Sequence, residues 1–496
     1  MDHEVVVVGA GIGGLTVAAL LAARGVDVCL LERASSPGGC VAAVEKFGYT
    51  FDPGVGIYPL WEHGEIHDRV FSELPVDGPE VRPNHSAYVV RMPDQTEVPI
   101  VGSRDEFEVA LRAAFPECAT QAIKFYLEGA RFSDSLQRAF ARMPDLLTAG
   151  RARQMLAIYP DFLTAARMLR TRKDSACQHL AGTSPRFRRF IDVQLQLIAQ
   201  TTSVDCSYLH AVAALTIPRR QTFSLRGGAP ALAASLADSI KASGARLRLD
   251  TPVLRLAYDP SGRATGVDLL SGETVKATRA IISNLTVWDT YGKLIGSNRT
   301  PPEVRKELNG LQGWGAYLLF LGMNESAADR LPSNHILTVA DWQEGEGFDA
   351  ESSQLMFAAA PAWDTRAPTA KRAVTVLAFT DAAEWFTYHE SEAQLEQQDQ
   401  SKLEAVWQRL HHALPELGGD IEVIDTATPP SAYELTRRKL GMIGNPSYPP
   451  RTPGGVAIDG STSLPNVYMV GDTTFPGVGL ASVSFGALAL ANRLTS

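Results

Sequence analysis

An uncharged run from Val5 to Ala23 opens the chain, and its glycines divide it. Val5–Val8 has the pattern of a buried strand, Leu15–Ala23 that of a helix, and Val26–Leu31, ending at Glu32, that of a second strand. The run is long enough to span a bilayer, but its glycines stand where a tight turn needs them, so it reads as soluble strand and helix. The same alternation returns later. Ala231–Ser243 has a helical period; Ala245–Leu249, Val253–Tyr258 and Ala264–Leu270 read as strands, the last two around an Asp259-Pro260-Ser261-Gly262 turn. Ala280–Ser283 is a further strand ending at Asn284, and Asn466–Val470 delivers Gly471 and Asp472 to a turn before a final helix, Leu480–Leu494. Residues 1–80, 223–300 and 450–496 thus predict one discontinuous α/β domain of Rossmann type.

The intervening stretches, 81–222 and 301–449, predict an α+β second domain. Ala87–Arg91 and Glu97–Val101 form a hairpin pattern around Pro93-Asp94-Gln95-Thr96, and Ser103 with Glu106 matches a capping box. From Asp105 to Ala199 the period is mostly helical, with breaks near Pro116, Pro144, Pro160 and Pro185, which suits a helical cap over an apolar tunnel. Within it Arg151, Arg153, Arg167, Arg170, Arg172 and Lys173 interleave with apolar residues, a pattern that suits a membrane surface as well as a solvated basic face. Ala316–Leu321, His335–Ala340, Gln354–Ala359 and Ala373–Phe379 read as strands of a sheet under the cavity, followed by a helix from Glu392 to Leu414.

A length of 496 residues calls for more than one core. The net charge of -9 argues against nucleic acid as a partner. Five scattered cysteines without a CxxC spacing give no disulfide framework, and no secretory signal is evident, so a cytoplasmic protein is expected, with membrane contact through the cap as one of the two readings of its basic face. His63 and His67 read as a surface pair rather than metal ligands, His411 and His412 as the exterior of a helix, and His335 as a structural histidine or a cavity acid/base; no metal is expected.

The chemistry concentrates in glycine. Gly9-Ala10-Gly11-Ile12-Gly13-Gly14 lies between a strand and a helix: Gly9 permits the turn, Gly11 lets backbone approach a pyrophosphate, and Gly14 allows close helix-strand packing. Glu32, eighteen residues after Gly14, stands where a carboxylate accepts from an unphosphorylated ribose, which fits FAD or NAD better than NADP. The amides at the start of the last helix, at Gly479 and Leu480, favour negative charge beside them.

Glu32-Arg33, Pro37-Gly38-Gly39-Cys40, Gly48-Tyr49-Thr50-Phe51-Asp52-Pro53-Gly54 and Gly471-Asp472-Thr473-Thr474-Phe475-Pro476-Gly477 together resemble the phytoene desaturase and carotenoid isomerase family of flavoproteins, with retinol saturase as a relative. The resemblance implies FAD as cofactor and a flavin amine oxidase-like architecture. It implies that Arg33, Gly38, Gly39, Cys40, Asp52 and Gly54 lie near the flavin, that the Val253 backbone faces the adenine, and that Gly471, Asp472, Gly479 and Leu480 close the site. Relatives often carry arginine or serine where this chain has Cys40, so a basic contact is missing or comes from elsewhere. A small buried thiol is the ordinary reading of Cys40, and a redox-active or flavin-bound thiol the sharper one.

A flavin can take hydride from an allylic carbon of a polyene, isomerise the polyene, or saturate one of its double bonds, and the sequence leaves all three open. The expected substrate is a long, apolar, isoprenoid polyene; the acid/base residue and the oligomeric state are not legible. Two rivals share the fold: a flavin amine oxidase, whose aromatic cage and lysine the sequence does not reveal, and a non-catalytic prenyl or lipid carrier, against which Glu32, Asp472 and the fingerprint glycines speak.

Overall fold

A computed structural model of the chain describes residues 2–142, 170–171, 174–343, 345–387, 392–447, 460–477 and 479–496. The basic stretch of the cap lies outside these apart from Arg170, as do the expected breaks at Pro144 and Pro160.

The chain opens with β1 (Asp2–Val8), α1 (Ile12–Ala23) and β2 (Val28–Leu31), then runs through the hairpin β3 (Val89–Arg91) and β4 (Glu97–Pro99). Helices α2 (Arg104–Ala114), α3 (Ala119–Arg142), α4 (Pro185–Ala199) and α5 (Tyr208–Thr216) follow. Next come α6 (Gly228–Ala242) and the strands β5 (Arg246–Arg248), β6 (Val253–Tyr258), β7 (Ala264–Leu269) and β8 (Thr274–Ser283). The strands β9 (Gln312–Asn324), β10 (His335–Val339), β11 (Gln354–Ala359) and β12 (Lys371–Thr380) lead to α7 (Glu392–Ala413), β13 (Ile421–Ala427), α8 (Pro429–Thr436) and β14 (Ile443–Ser447). The chain ends with β15 (Val467–Met469) and α9 (Leu480–Thr495).

Two large sheets organise these elements. Among the described residues, the first has seven strands in the order β5-β2-β1-β8-β7-β6, with β15 also on β8. Its β5, β2, β1, β8 and β15 are parallel, and β6–β7–β8 antiparallel. Central β1 is covered on both faces, which is why four adjacent valines, Val5–Val8, are all buried instead of alternating. Every residue of α1 except Ala23 is buried, because the helix packs against the sheet, α6 and α9 at once. Its apolar character all round follows from that position.

The second sheet has, among the described residues, eight strands, β13-β9-β12-β11-β10-β3-β4 with β14 also on β9. Its interior residues join α2, α3, α4 and α5 in one apolar core, so the helices lie over one face as a cap. Ser103 accepts from the Glu106 amide at the start of α2, and Pro185 opens α4 behind Ser184. Among the described residues no helix is long and apolar enough to cross a membrane.

The histidines near α1 depart from the expected surface pair. His63 is fully exposed and pairs with Asp68 at 3.1 Å. His67 is buried instead, its ring stacked on Trp61 at 4.2 Å, because the short helix that carries it turns inward against α9. Burial pushes the His67 pKa down to about 3, and among the described residues its Nε2 has no hydrogen-bond partner. The unfolded chain therefore takes up a proton below its ordinary pKa while the folded chain does not. His67 costs stability as pH falls from about 6.5 toward about 3, on the order of several kcal/mol at the acid end. Melting temperature followed from pH 7.5 to 4.5 should fall less steeply in His67→Phe than in the parent; parallel curves would show that His67 does not carry the effect.

Candidate functional site

The opening turn is built from backbone. Gly9 has φ +99° and its amide bonds Leu31 O at 2.8 Å, joining the turn to β2. A Cβ on Gly14 would meet Gly9 O below the 3.0 Å that real contacts respect, so α1 lies as close to β1 as a helix can. α1 begins after Gly11 without a side-chain cap, and its first amides stay available. Ile12 and Gly13 are buried in this first turn. The diglycine lies directly on it: the Gly38 amide bonds Ala10 O at 2.8 Å, and a Cβ on Gly39 would stand 3.3 Å from Gly11 Cα.

Glu32 points back over the turn. Its Oε2 accepts from the Ala10 amide at 2.7 Å and its Oε1 from the Ala34 amide at 2.8 Å. Both carboxylate oxygens keep a free lone pair for further donors. The segment leading to Val253 runs alongside: Glu32 N bonds Arg248 O, Asp250 N bonds Ala34 O, and Thr251 N bonds Glu32 O. That brings the start of β6 to the carboxylate end of the turn. Arg33 faces elsewhere, donating to the carbonyls of Glu434 and Leu435 and tying α8 to the end of β2.

Asn284, noted in the sequence only as the end of a strand, is the hub between the two glycine segments. A Cβ on Gly11 would lie 2.6 Å from its Oδ1, and Cβ atoms on Gly13 and Gly471 would lie 2.8 and 2.9 Å from its Nδ2. The Nδ2 donates to Val470 O at 2.8 Å, and the backbone amide to Val8 O at 2.8 Å. One side chain thus locks β1, β8 and the closing turn together. A short polar residue just after a central strand, opposite glycines, is the signal that marks it.

A basic side chain does stand beside Cys40: Arg438, in the loop after α8. It holds Asp472 through both nitrogens, at 3.1 Å to Oδ1 and 3.0 Å to Oδ2. Its Nε donates to Met442 O at 2.7 Å and Nη2 to Gly444 O at 3.2 Å. Burial opposes its charge, but Asp472 and Cys40 outweigh that and raise its pKa. Cys40 is not a small buried thiol: it is exposed, and desolvation by the protein around it still pushes the thiol pKa up against the lowering effect of Arg438. The raised pKa argues against a ready thiolate.

Asp52 is buried, and both of its carboxylate oxygens accept from the chain. Oδ1 accepts from Gly54 N at 2.9 Å; Oδ2 accepts from Tyr58 OH and, at 2.9 Å, from Ala229 N. It shapes the Gly54–Gly56 loop and caps α6. Asp364 takes the Gly227 amide at 3.1 Å beside it. The amides opening α6 are therefore occupied by two carboxylates, whereas α9 begins at Gly479 with no side-chain cap and, chain neighbours aside, no heavy atom of the described residues within 4 Å of where a Cβ would stand. Leu480 is the first residue of that helix.

Two uncapped helix starts, one glycine cradle and a carboxylate aligned at its edge fit an adenine dinucleotide with a second charged or polar ring system. The family model described as flavin containing amine oxidoreductase matches residues 12–483. The chain belongs to this family. As a flavin containing amine oxidoreductase in this broad sense it is an FAD-dependent oxidoreductase. It is similar to the chloroplastic prolycopene isomerase of Arabidopsis thaliana, 25% identical with 100% of this chain and 83% of the relative covered. It is also similar to the all-trans-retinol 13,14-reductase of Homo sapiens, 24% identical with 98% of this chain and 84% of the relative covered. Among solved structures, an oxidoreductase from Methanosarcina mazei superposes with a TM-score of 0.63 at 17% identity, covering 99% and 100% of the two chains. Cyclohexylamine oxidase from Brevibacterium oxydans gives 0.62 at 17%, covering 100% of both. These likenesses are of fold, and they carry the flavin amine oxidase-like architecture. Among the described residues no group of three or more His, Cys, Asp or Glu side chains is placed to hold a metal ion.

Proposed function

We propose that this flavoenzyme acts on a long isoprenoid polyene and that it works from the reduced flavin, moving or saturating double bonds rather than removing hydride. The observation that carries this is similarity along the whole chain to two proteins named for such reactions, an isomerase and a reductase. The wording of the closing turn, Gly471 to Gly477, points the same way.

FAD, when bound, supplies reversible electron or hydride exchange with a conjugated substrate. Glu32 would accept the ribose hydroxyls, since two backbone amides already fix its carboxylate. Gly11 and the open amides of α1 would face the pyrophosphate, with Asp472 and its partner Arg438 beside it. The α9 start would favour negative charge on the flavin ring. The helical cap and the second sheet would exclude water from an apolar chain, and the basic, apolar sequence between Arg151 and Lys173 would receive that chain from a membrane surface.

Glu32→Gln puts an amide NH2 against one of two backbone donors. Titration of apoprotein with FAD should give a Kd about 10–100-fold above the parent, in line with losing charge-assisted hydrogen bonds of ~1.5–3 kcal/mol. An unchanged Kd would remove Glu32 from the cofactor site. The reaction itself is tested by mixing oxidised holoenzyme anaerobically with a poly-cis carotene in detergent micelles and following flavin absorbance. The expected trace stays unbleached, with product forming after the flavin is reduced. Bleaching by the polyene would overturn the proposal in favour of a desaturase.

A further inference from the structure

The carbonyl end of α8 carries a patch of positive charge, on a chain whose net charge is -9. Arg33, Lys293, Arg437 and Lys439 gather there around Leu435, an apolar side chain left 44% exposed. Arg33 Nη2 donates to the carbonyls of Glu434 and Leu435, and Lys293 Nζ to the Arg437 carbonyl at 3.1 Å. These two cations complement the negative end of the helix, which accounts for their presence.

The helix end does not account for the other two. The Arg437 guanidinium lies over the Tyr433 ring at 5.1 Å, and the Lys439 ammonium over the Trp288 ring at 5.3 Å. Among the described residues neither makes an ion pair or a side-chain hydrogen bond, and the partners of Arg33 are neutral carbonyls. Lys293 is paired, with Asp289 at 2.7 Å. Arg33 and Arg437 are exposed, so three charges without a carboxylate of their own share one surface.

That surface backs onto the cofactor site. Arg438, between Arg437 and Lys439 in sequence, turns inward to Asp472 and Cys40, and α8 packs against the Gly39–Val41 turn. An apolar centre with a charged rim is the anatomy of a contact between proteins, and the contacts of electron-transfer proteins are small and steered by charge. An anionic bilayer is the other occupant that the charge admits. Glu434, exposed beside Leu435, argues against it, because a continuous anionic surface repels a carboxylate whereas a protein can set a cation opposite. Resting on the reading that the enzyme works from reduced flavin, whose electrons come from outside, we propose that this patch docks a small acidic one-electron carrier protein. Each docking delivers one electron. Two of them, with two protons from solvent, complete the reduction of bound FAD while two carriers are oxidised.

The probe is an acidic plant-type iron–sulfur ferredoxin, fluorescently labelled and titrated with oxidised holoenzyme at about 0.02 M and about 0.3 M salt. Anisotropy should report binding at the lower salt that weakens about 10-fold or more at the higher. In Arg437→Glu with Lys439→Glu the low-salt affinity should fall about 10–100-fold, while flavin content and the rate of reduction by dithionite stay those of the parent. Arg437→Gln with Lys439→Gln should give a smaller fall in the same direction, and it decides where the reversed pair does not fold. Lys124→Glu, at an exposed position on α3, controls for net charge and should leave affinity within about 2-fold. No binding by the parent at low salt, or equal affinity in the charge variants, overturns the docking. Co-sedimentation with phosphatidylglycerol vesicles that those variants lose, without ferredoxin binding, overturns it in favour of a membrane. Failure of dithionite-reduced holoenzyme to convert a polyene, with no carrier present, overturns the reading underneath, whatever the titration shows.

Discussion

Gly14→Ala is expected to yield a protein that emerges from gel filtration without FAD and melts at a lower temperature than the parent. The added methyl would meet the Gly9 carbonyl below 3.0 Å and Asn284 Cβ at 3.0 Å. Neither neighbour is the end of a flexible side chain: one is the backbone of the turn and the other belongs to the residue that joins the turn to the closing motif. Relief requires α1 to move away from β1, and with it the uncapped amides proposed to face the diphosphate. Overpacking of a core costs ~1–3 kcal/mol where side chains can yield, and the rigid contact here sets the upper part of that range as the expected loss. Gly292→Ala is the control, because nothing lies within 4 Å of its Cβ position; it should change stability by less than about 0.5 kcal/mol and keep its flavin. The flavin-to-protein absorbance ratio and a thermal melt read both. Full flavin content in Gly14→Ala would show that the close packing is dispensable.

The cofactor domain was legible because its signals are local. Gly14 meets its reason five residues away, at the Gly9 carbonyl, and β6 was read to the residue because its pattern ends at a flanking turn. What the sequence hid is what depends on distant partners. Helix α6 begins at Gly228, three residues before its apolar period starts at Ala231, because Asp52 and Asp364, from two other parts of the chain, cap its first amides. Asn284 has an unremarkable place at the end of β8, and its role appears only when Gly11, Gly13 and Gly471 converge on it. Short strands such as Val44–Lys46 and Tyr58–Pro59 have too few residues to show a period at all. Cys40 and His67 went the other way: residue type suggested a buried thiol and a surface imidazole, and the packing around each reversed the two.

Arg438→Met should weaken FAD binding and destabilise the fold together. The arginine spends Nε, Nη1 and Nη2 on Met442 O, Asp472 and Gly444 O, so a single truncation strands two carbonyls and a carboxylate. Breaking a fully buried ion pair costs ~3–5 kcal/mol; Asp472 keeps 24% exposure of its side chain, which brings the expected loss to about 2–3 kcal/mol. Lysine is not a substitute, since a point charge cannot hold both carboxylate oxygens and two carbonyls. The consequence for the cofactor is electrostatic as well as geometric. Paired, Asp472 presents little net charge; unpaired, it repels a diphosphate beside it. The FAD dissociation constant of Arg438→Met should therefore rise by about 10-fold or more, and part of that loss should disappear at 0.5 M salt, where charges are screened within a few ångströms. Adding Asp472→Asn removes the stranded charge and should recover affinity and some stability, whereas Asp472→Asn alone should cost less than Arg438→Met. A salt-independent loss that Asp472→Asn does not relieve would assign Arg438 to holding the 438–444 loop and nothing more.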